Sequence, residues 1–182
     1  MARVIQLGDA PRERWRNNGG WTREIVRARA GVDDFDWRLS VAEVEADGPF
    51  SHFDGCDRIL VMLDGDGMAL HSATSTVVLQ APGEFLRFAG ELAIDAALVG
   101  RPTTDLNLIW RRDRCNVVLV QPGPGTRERV GGGAHEVVLV FSLAVHTTRV
   151  GDAGEAIFVD GDGREVAFVI APASPAPPVP PA

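Results

Sequence analysis

Residues 37–45, WRLSVAEVE, alternate apolar and polar side chains almost one for one. Successive strand residues point to opposite faces, so Trp37, Leu39 and Val41 share one face and Arg38, Ser40 and Ala42 the other. Residues 105–112, DLNLIWRR, repeat the pattern, with Leu106, Leu108 and Trp110 opposed to Asp105, Asn107 and Arg111. Two unbroken apolar runs, 59–63 and 117–120, read as strands buried on both faces. Further strands are expected over 76–80, 137–143, 156–159 and 166–170. Turn signals separate them at 47–49, 64–67, 81–83, 131–133 and 160–163. Many short strands with closely spaced turns predict an all-β sandwich or barrel. One short helix is expected near residues 9–14, with Asp9 as its cap and Pro11 in its first turn.

At 182 residues and 45% hydrophobic content, the chain suits one domain or two small halves sharing a core. Asp-Gly-Asp-Gly lies between apolar strands at both 64–67 and 160–163, which fits either a repeated hairpin or two hairpins using a common turn. Residues 172–182 are nearly all Pro, Ala and Ser and read as a disordered tail. The net charge of -7 argues against nucleic acid as a partner. No apolar window is long enough to span a membrane, and the N-terminus lacks the apolar core of a signal peptide, so a cytoplasmic address is expected. Cys56 and Cys115 lack the spacing of a zinc site and are too few for a disulfide framework, so free thiols are expected. Every basic residue is arginine, which removes lysine Schiff-base chemistry.

Residues 14–25, RWRNNGGWTREI, place a tight Asn/Gly turn between Trp15 and Trp21. Together with residues 35–67 and 105–112, this segment resembles the HutD/Ves family, with blocks matching in order and spacing over roughly residues 4–171. The resemblance implies an all-β, cupin-like (RmlC-like) fold in two related halves, a bicupin, here roughly 1–100 and 101–171. It also implies an association with bacterial histidine utilisation and a regulatory, ligand-binding role. The family usually writes the turn as Asn-Gly-Gly-Gly, where this chain has Asn17-Asn18-Gly19-Gly20, and Trp21 stands where a smaller residue is more usual. Asn replaces Gly readily where φ is positive, so the same backbone path is expected.

A metal-binding cupin needs several histidines and a carboxylate converging from two motifs. His52 is followed by Phe53, residues 81–90 contain no histidine, and His71, His135 and His146 lie on separate segments. No metal and no other cofactor is therefore expected. Candidate ligand-binding residues are Trp15, Asn17, Thr22, Glu24, Arg38, Ser40, Ser51, His52, Arg58, Asn107 and Arg111. The polar faces carrying Arg38 and Ser40, and Asn107 and Arg111, either face solvent or form a barrel interior. An arginine there grips a carboxylate with two parallel hydrogen bonds. On the surface, Arg38 would instead pair with Glu43 or Glu45. Asp57 either neutralises Arg58 or caps its turn, and Glu24 is a candidate partner for an interior arginine. Gly19 and Gly20 are expected to make the sharp turn, with Trp15 and Trp21 packing across the mouth or plugging the sandwich end.

The reading favoured is a binder of a small anionic metabolite, N-formylglutamate or urocanate, with the pathway supplied by the resemblance. The alternative is a cupin isomerase or hydrolase, metal-dependent or using Glu24 with His52. A third class is an interaction protein acting through its proline tail. A homodimer formed by edge-to-edge sheet pairing is compatible with the fold class.

Overall fold

The computed structural model describes residues 2–28 and 34–173. Alternation in the central strands builds a six-stranded antiparallel sheet. Its order is β2 (Arg12–Arg14), β3 (Gly20–Ala28), β4 (Trp37–Val44), β11 (Thr103–Arg111), β6 (Cys56–Asp64) and β9 (Phe85–Ala89). A smaller sheet packs on one face of it: β5 (Gly48–Pro49), β10 (Asp95–Leu98), β7 (Met68–His71) and β8 (Thr76–Leu79). Against the other face lies a five-stranded sheet, β1 (Arg3–Gln6), β15 (Thr147–Gly151), β14 (Val137–Ser142), β17 (Glu165–Pro172) and β12 (Cys115–Val120). A two-stranded ribbon, β13 (Arg127–Gly131) with β16 (Ala156–Asp160), covers that sheet's far side. The result is an all-β, cupin-like pair of sandwiches built back to back. The sheets interleave in sequence: β11 inserts between β4 and β6, and β1 pairs with β15.

Trp37, Leu39, Val41, Ile59, Val61, Leu106, Leu108 and Trp110 face the five-stranded sheet and meet Leu139, Phe141, Val166 and Phe168 there. The 59–63 run is buried on both faces as expected. Its intervening residues, Leu60 and Met62, join Met68, Leu70 and Leu79 inside the first sandwich. The matching expectation for 117–120 is corrected, since β12 is an edge strand and Val118 is 59% exposed. Neither Asp-Gly-Asp-Gly segment closes a hairpin. Residues 64–67 carry the chain from the six-stranded to the four-stranded sheet, and residues 160–163 from the ribbon to β17.

The expected helix is also corrected. A single 3₁₀ turn occupies Leu7–Asp9, and the chain then extends into β2, where Glu13 pairs with Thr22. Pro11 disfavours helical geometry at Ala10 (φ -77°, ψ 132°), and backbone pairing to β3 takes the donors a helix would need. Pro172 ends β17, and the Ala173 N–H donates to the Arg114 carbonyl at 2.8 Å. The rest of the proline-rich segment, 174–182, lies outside the described residues.

The Asn/Gly turn differs in detail from expectation. Positive φ falls on Asn18 (57°), while Asn17 Oδ1 accepts the Gly19 N–H at 3.0 Å. Gly20 is required for another reason: a Cβ there would lie 2.3 Å from the Glu43 carbonyl and 3.0 Å from the Trp15 ring. Trp15 Nε1 donates to Thr22 Oγ1 at 2.7 Å, holding the indole over the strand. Trp21 points the other way, beneath the guanidiniums of Arg12 (4.1 Å) and Arg14 (4.7 Å), with its Nε1 donating to Glu45 at 3.1 Å.

Two outcomes are expected. Phe168→Ala loses about 3–5 kcal/mol in denaturant melts, and unfolding remains one transition because the shared core ties the sandwiches together. Asn18→Gly is near neutral, Asn18→Ala costs about 1 kcal/mol, and Gly20→Ala costs more than either, read as melting temperature.

Candidate functional site

Inside the first sandwich, at the end not filled by Leu60, Met62 and Met68, lies a cavity of about 720 Å³. Its floor is the polar face of the alternating strands: Arg38, Ser40 and Ala42 from β4, Asp105, Asn107 and Ile109 from β11, and Arg58 from β6. Thr22 and Trp15 form one wall, and Pro49, Phe50, Ser51 and Phe53 form the opposite wall. Glu13, Arg14, Arg16 and Asn17 complete the rim. The interior of the second sandwich is packed with Val130, Val138, Val140, Ile157, Val159 and Ala167.

Among the described residues, the only charged side chains fully buried are Arg58 (6% exposed) and Asp105 (0%), and both belong to this cavity. Asn107 links them. Its Oδ1 accepts from Arg58 Nη2 at 2.8 Å, and its Nδ2 donates to Asp105 Oδ1. Arg58 Nη1 also donates to the Ser51 carbonyl at 3.3 Å. Asp105 Oδ2 and Arg58 Nε have no hydrogen-bond partner among the described residues. Burial pushes the Asp105 carboxyl up to about 7, against the pull of Arg58 and Asn107. Burial likewise pushes Arg58 down to about 10, with Asp105 opposing.

Arg38 is the second guanidinium of the floor. Its nearest carboxylate is Glu24 at 4.0 Å, its Nε is also unpartnered, and burial lowers its pKa. Aromatic rings hold both arginines. Arg38 lies 5.4 Å from Phe35 and 5.1 Å from Phe53, and Arg58 lies 5.5 Å from Phe53, 5.2 Å from Phe50 and 4.9 Å from Phe88. Phe53 thus serves both cations, fixing them with little hydrogen bonding of their own. Both guanidiniums thus stand beside ring faces on the floor of a cavity with apolar walls.

Of the expected site residues, Trp15, Asn17, Thr22, Arg38, Ser40, Ser51, Arg58 and Asn107 line the cavity. Three do not. Glu24 shares the face of Thr22 as expected but is tied to Arg27 at 2.7 Å, behind a bulge in β3. His52 is exposed outside the cavity, away from Glu24, so the two do not form an acid–base pair facing it. Arg111 follows the alternation but lies beyond Ile109, where Phe35, Cys56, Ile109 and Phe53 close the end of the barrel. Its Nη1 donates to the Asp54 carbonyl at 3.0 Å. Other expected pairings are also corrected. Asp57 binds Arg87 and Arg112 rather than Arg58, and Glu43 and Glu45 bind Arg12, Arg14 and Arg23 rather than Arg38.

Asp105 lies on the same strand face as Asn107. Alternation marks its position, while its value comes from burial, which no local pattern reports. Phe50 and Phe53 come from an irregular segment with no periodic signal. Among the described residues, no three His, Cys, Asp or Glu side chains gather as a metal site would require. His71, His135 and His146 are exposed on separate elements, and the buried thiols of Cys56 and Cys115 are pushed up by desolvation.

Residues 8–163 match the HutD family model. Over 144 residues, the chain is 36% identical to an uncharacterised 21.2 kDa protein of the hutC 3' region of Pseudomonas putida, covering 79% of this chain and 74% of that one. It is also 36% identical over 102 residues to protein Ves of Citrobacter koseri, covering 56% of this chain and 53% of Ves, about half that protein's length. In three dimensions it is similar to HutD from Pseudomonas fluorescens SBW25, solved in a formate condition. That match has a TM-score of 0.84 and 28% identity, covering 96% of this chain and all of the other. The chain belongs to the HutD family.

Proposed function

We propose that the chain is a small-molecule-binding regulatory protein of histidine utilisation, taking an anionic pathway intermediate such as N-formylglutamate or urocanate into its first sandwich. The observation that carries the anion is the pair Arg38 and Arg58, two guanidiniums on one cavity floor, both set against the Phe53 ring. The pathway rests on the family and on the P. putida relative's place beside hutC. A cavity of this size holds a small metabolite, and its polar groups converge at one end, so one carboxylate would be gripped while the rest of the molecule lies against Trp15, Phe50 and Phe53. Binding of an intermediate by such a protein would limit flux through the pathway by sensing or sequestration. Among the described residues, the cavity lining has Glu13 and Asp105 as its only carboxylates and no histidine, so recognition through arginine is the reading its chemistry favours.

A thermal-shift panel with urocanate, N-formylglutamate, formate and succinate tests this, run before and after chelation. At about a hundred times its dissociation constant a ligand adds about 2.7 kcal/mol, seen as a higher melting temperature. The expected result is a chelator-insensitive shift with a pathway acid, lost in Arg38→Ala and kept in Arg111→Ala. No shift with any acid, with a drop on chelation, would overturn the proposal in favour of a metalloenzyme.

A further inference from the structure

We propose that the cavity binds its carboxylate together with a proton, taken up from solvent on Oδ2 of Asp105. The inference rests on the cavity being a carboxylate site, and it adds what the site must do with its own carboxyl group.

In the free cavity, Asp105 is the buried counter-charge to the arginines. It lies beneath Asn107, fully enclosed, with Oδ1 held by the Asn107 amide and Oδ2 without a partner among the described residues. The charged groups facing it can be named element by element. β6 brings Arg58, hydrogen-bonded to the same Asn107, and β4 brings Arg38, with Glu24 of β3 at 4.0 Å from it. β2 and its turn bring Glu13, Arg14 and Arg16 at the rim, while the wall of Pro49, Phe50, Ser51 and Phe53 brings no charge. Below lie Met62, paired with Asp105 in the sheet, and Phe88.

A carboxylate docking on Arg38 and Arg58 displaces water and puts a second negative charge in the same apolar enclosure. The docked anion competes with Asp105 for the same two guanidiniums and strips water from it, and both effects favour the protonated form of whichever carboxyl is the weaker acid. A free metabolite carboxyl titrates near pH 4, whereas burial already holds Asp105 near neutrality. The proton therefore goes to Asp105, on the oxygen that no protein donor occupies. The charge balance is one anion and one proton in, with no bond made or broken in the ligand. Because binding raises the Asp105 pKa, affinity is constant well below the free-state value of about 7 and falls as pH rises through it. The limiting slope is about tenfold for each pH unit.

Isothermal titration calorimetry of the full chain with N-formylglutamate and with formate tests this, since both acids stay fully ionised from about pH 6 to about pH 9. Titrations near pH 8 in two buffers of different ionisation enthalpy count the protons directly. The expected result is uptake of nearly one proton, with affinity weakening about tenfold per unit above about pH 7. Asp105→Asn, which keeps an acceptor for the Asn107 amide, is expected to bind with a pH-independent affinity and no proton uptake. If that variant does not fold, the proton count on the unaltered chain decides. Binding of either acid with pH-independent affinity and no net proton would overturn the proton coupling and leave the carboxylate reading standing. Binding of neither acid at any pH would overturn both.

Discussion

The central strands of the six-stranded sheet, β4, β11 and β6, are buried on both faces, and everything else about the molecule depends on that. One row of its side chains, from Trp37 through Leu108, packs against the five-stranded sheet and joins the two sandwiches. The alternate row supplies Arg38, Ser40, Asp105, Asn107 and Arg58 to the cavity. Strand geometry ties the rows together, because slipping a strand by one residue would drive leucines into the cavity and charges into the shared core. The apolar row therefore fixes the register that aims the polar one. This also holds the polar floor in place, since each polar residue has a buried apolar neighbour in sequence, such as Leu39, Ile59, Leu106 and Leu108.

The two sandwiches use the same architecture differently. The second fills its interior with Val, Ile and Ala and contributes packing. The first gives up apolar packing at one end, placing Arg58 and Asp105 where desolvation penalises both. Buried charges of this kind are rarely a route to stability, and apolar residues of similar volume would often serve the fold as well. Their presence in one half, lining an open cavity, sets that half apart from the apolar interior of the other.

Much of this was legible in the sequence because period two is a strong signal where both faces are buried. Alternation at 37–45 and 105–112 sorted the side chains into two rows and left open which row lines an interior, and the Asn-for-Gly exchange at residue 18 is compatible with its positive φ. The failures share a cause: they depend on where an element sits in the assembled sheet. Val117–Val120 carries the same apolar run as Ile59–Leu63, but β12 is an edge and β6 is central. Arg111 follows the same alternation as Asn107, yet a plug of Phe35, Cys56, Ile109 and Phe53 stands between it and the cavity. The expected helix at Asp9 yielded to strand pairing with Thr22, a contact local signals do not contain. Likewise, the partners of Asp57, Glu43 and Glu45 are set by segments 20 or more residues distant in sequence.

A crystal structure of the protein grown with N-formylglutamate would show whether Arg38 and Arg58 form a carboxylate-binding floor. The expected result is a carboxylate bridging the two guanidiniums within hydrogen-bonding distance, with the remainder of the ligand along Phe53 and Trp15. An acid bound elsewhere on the molecule, with both guanidiniums left uncontacted, would contradict it.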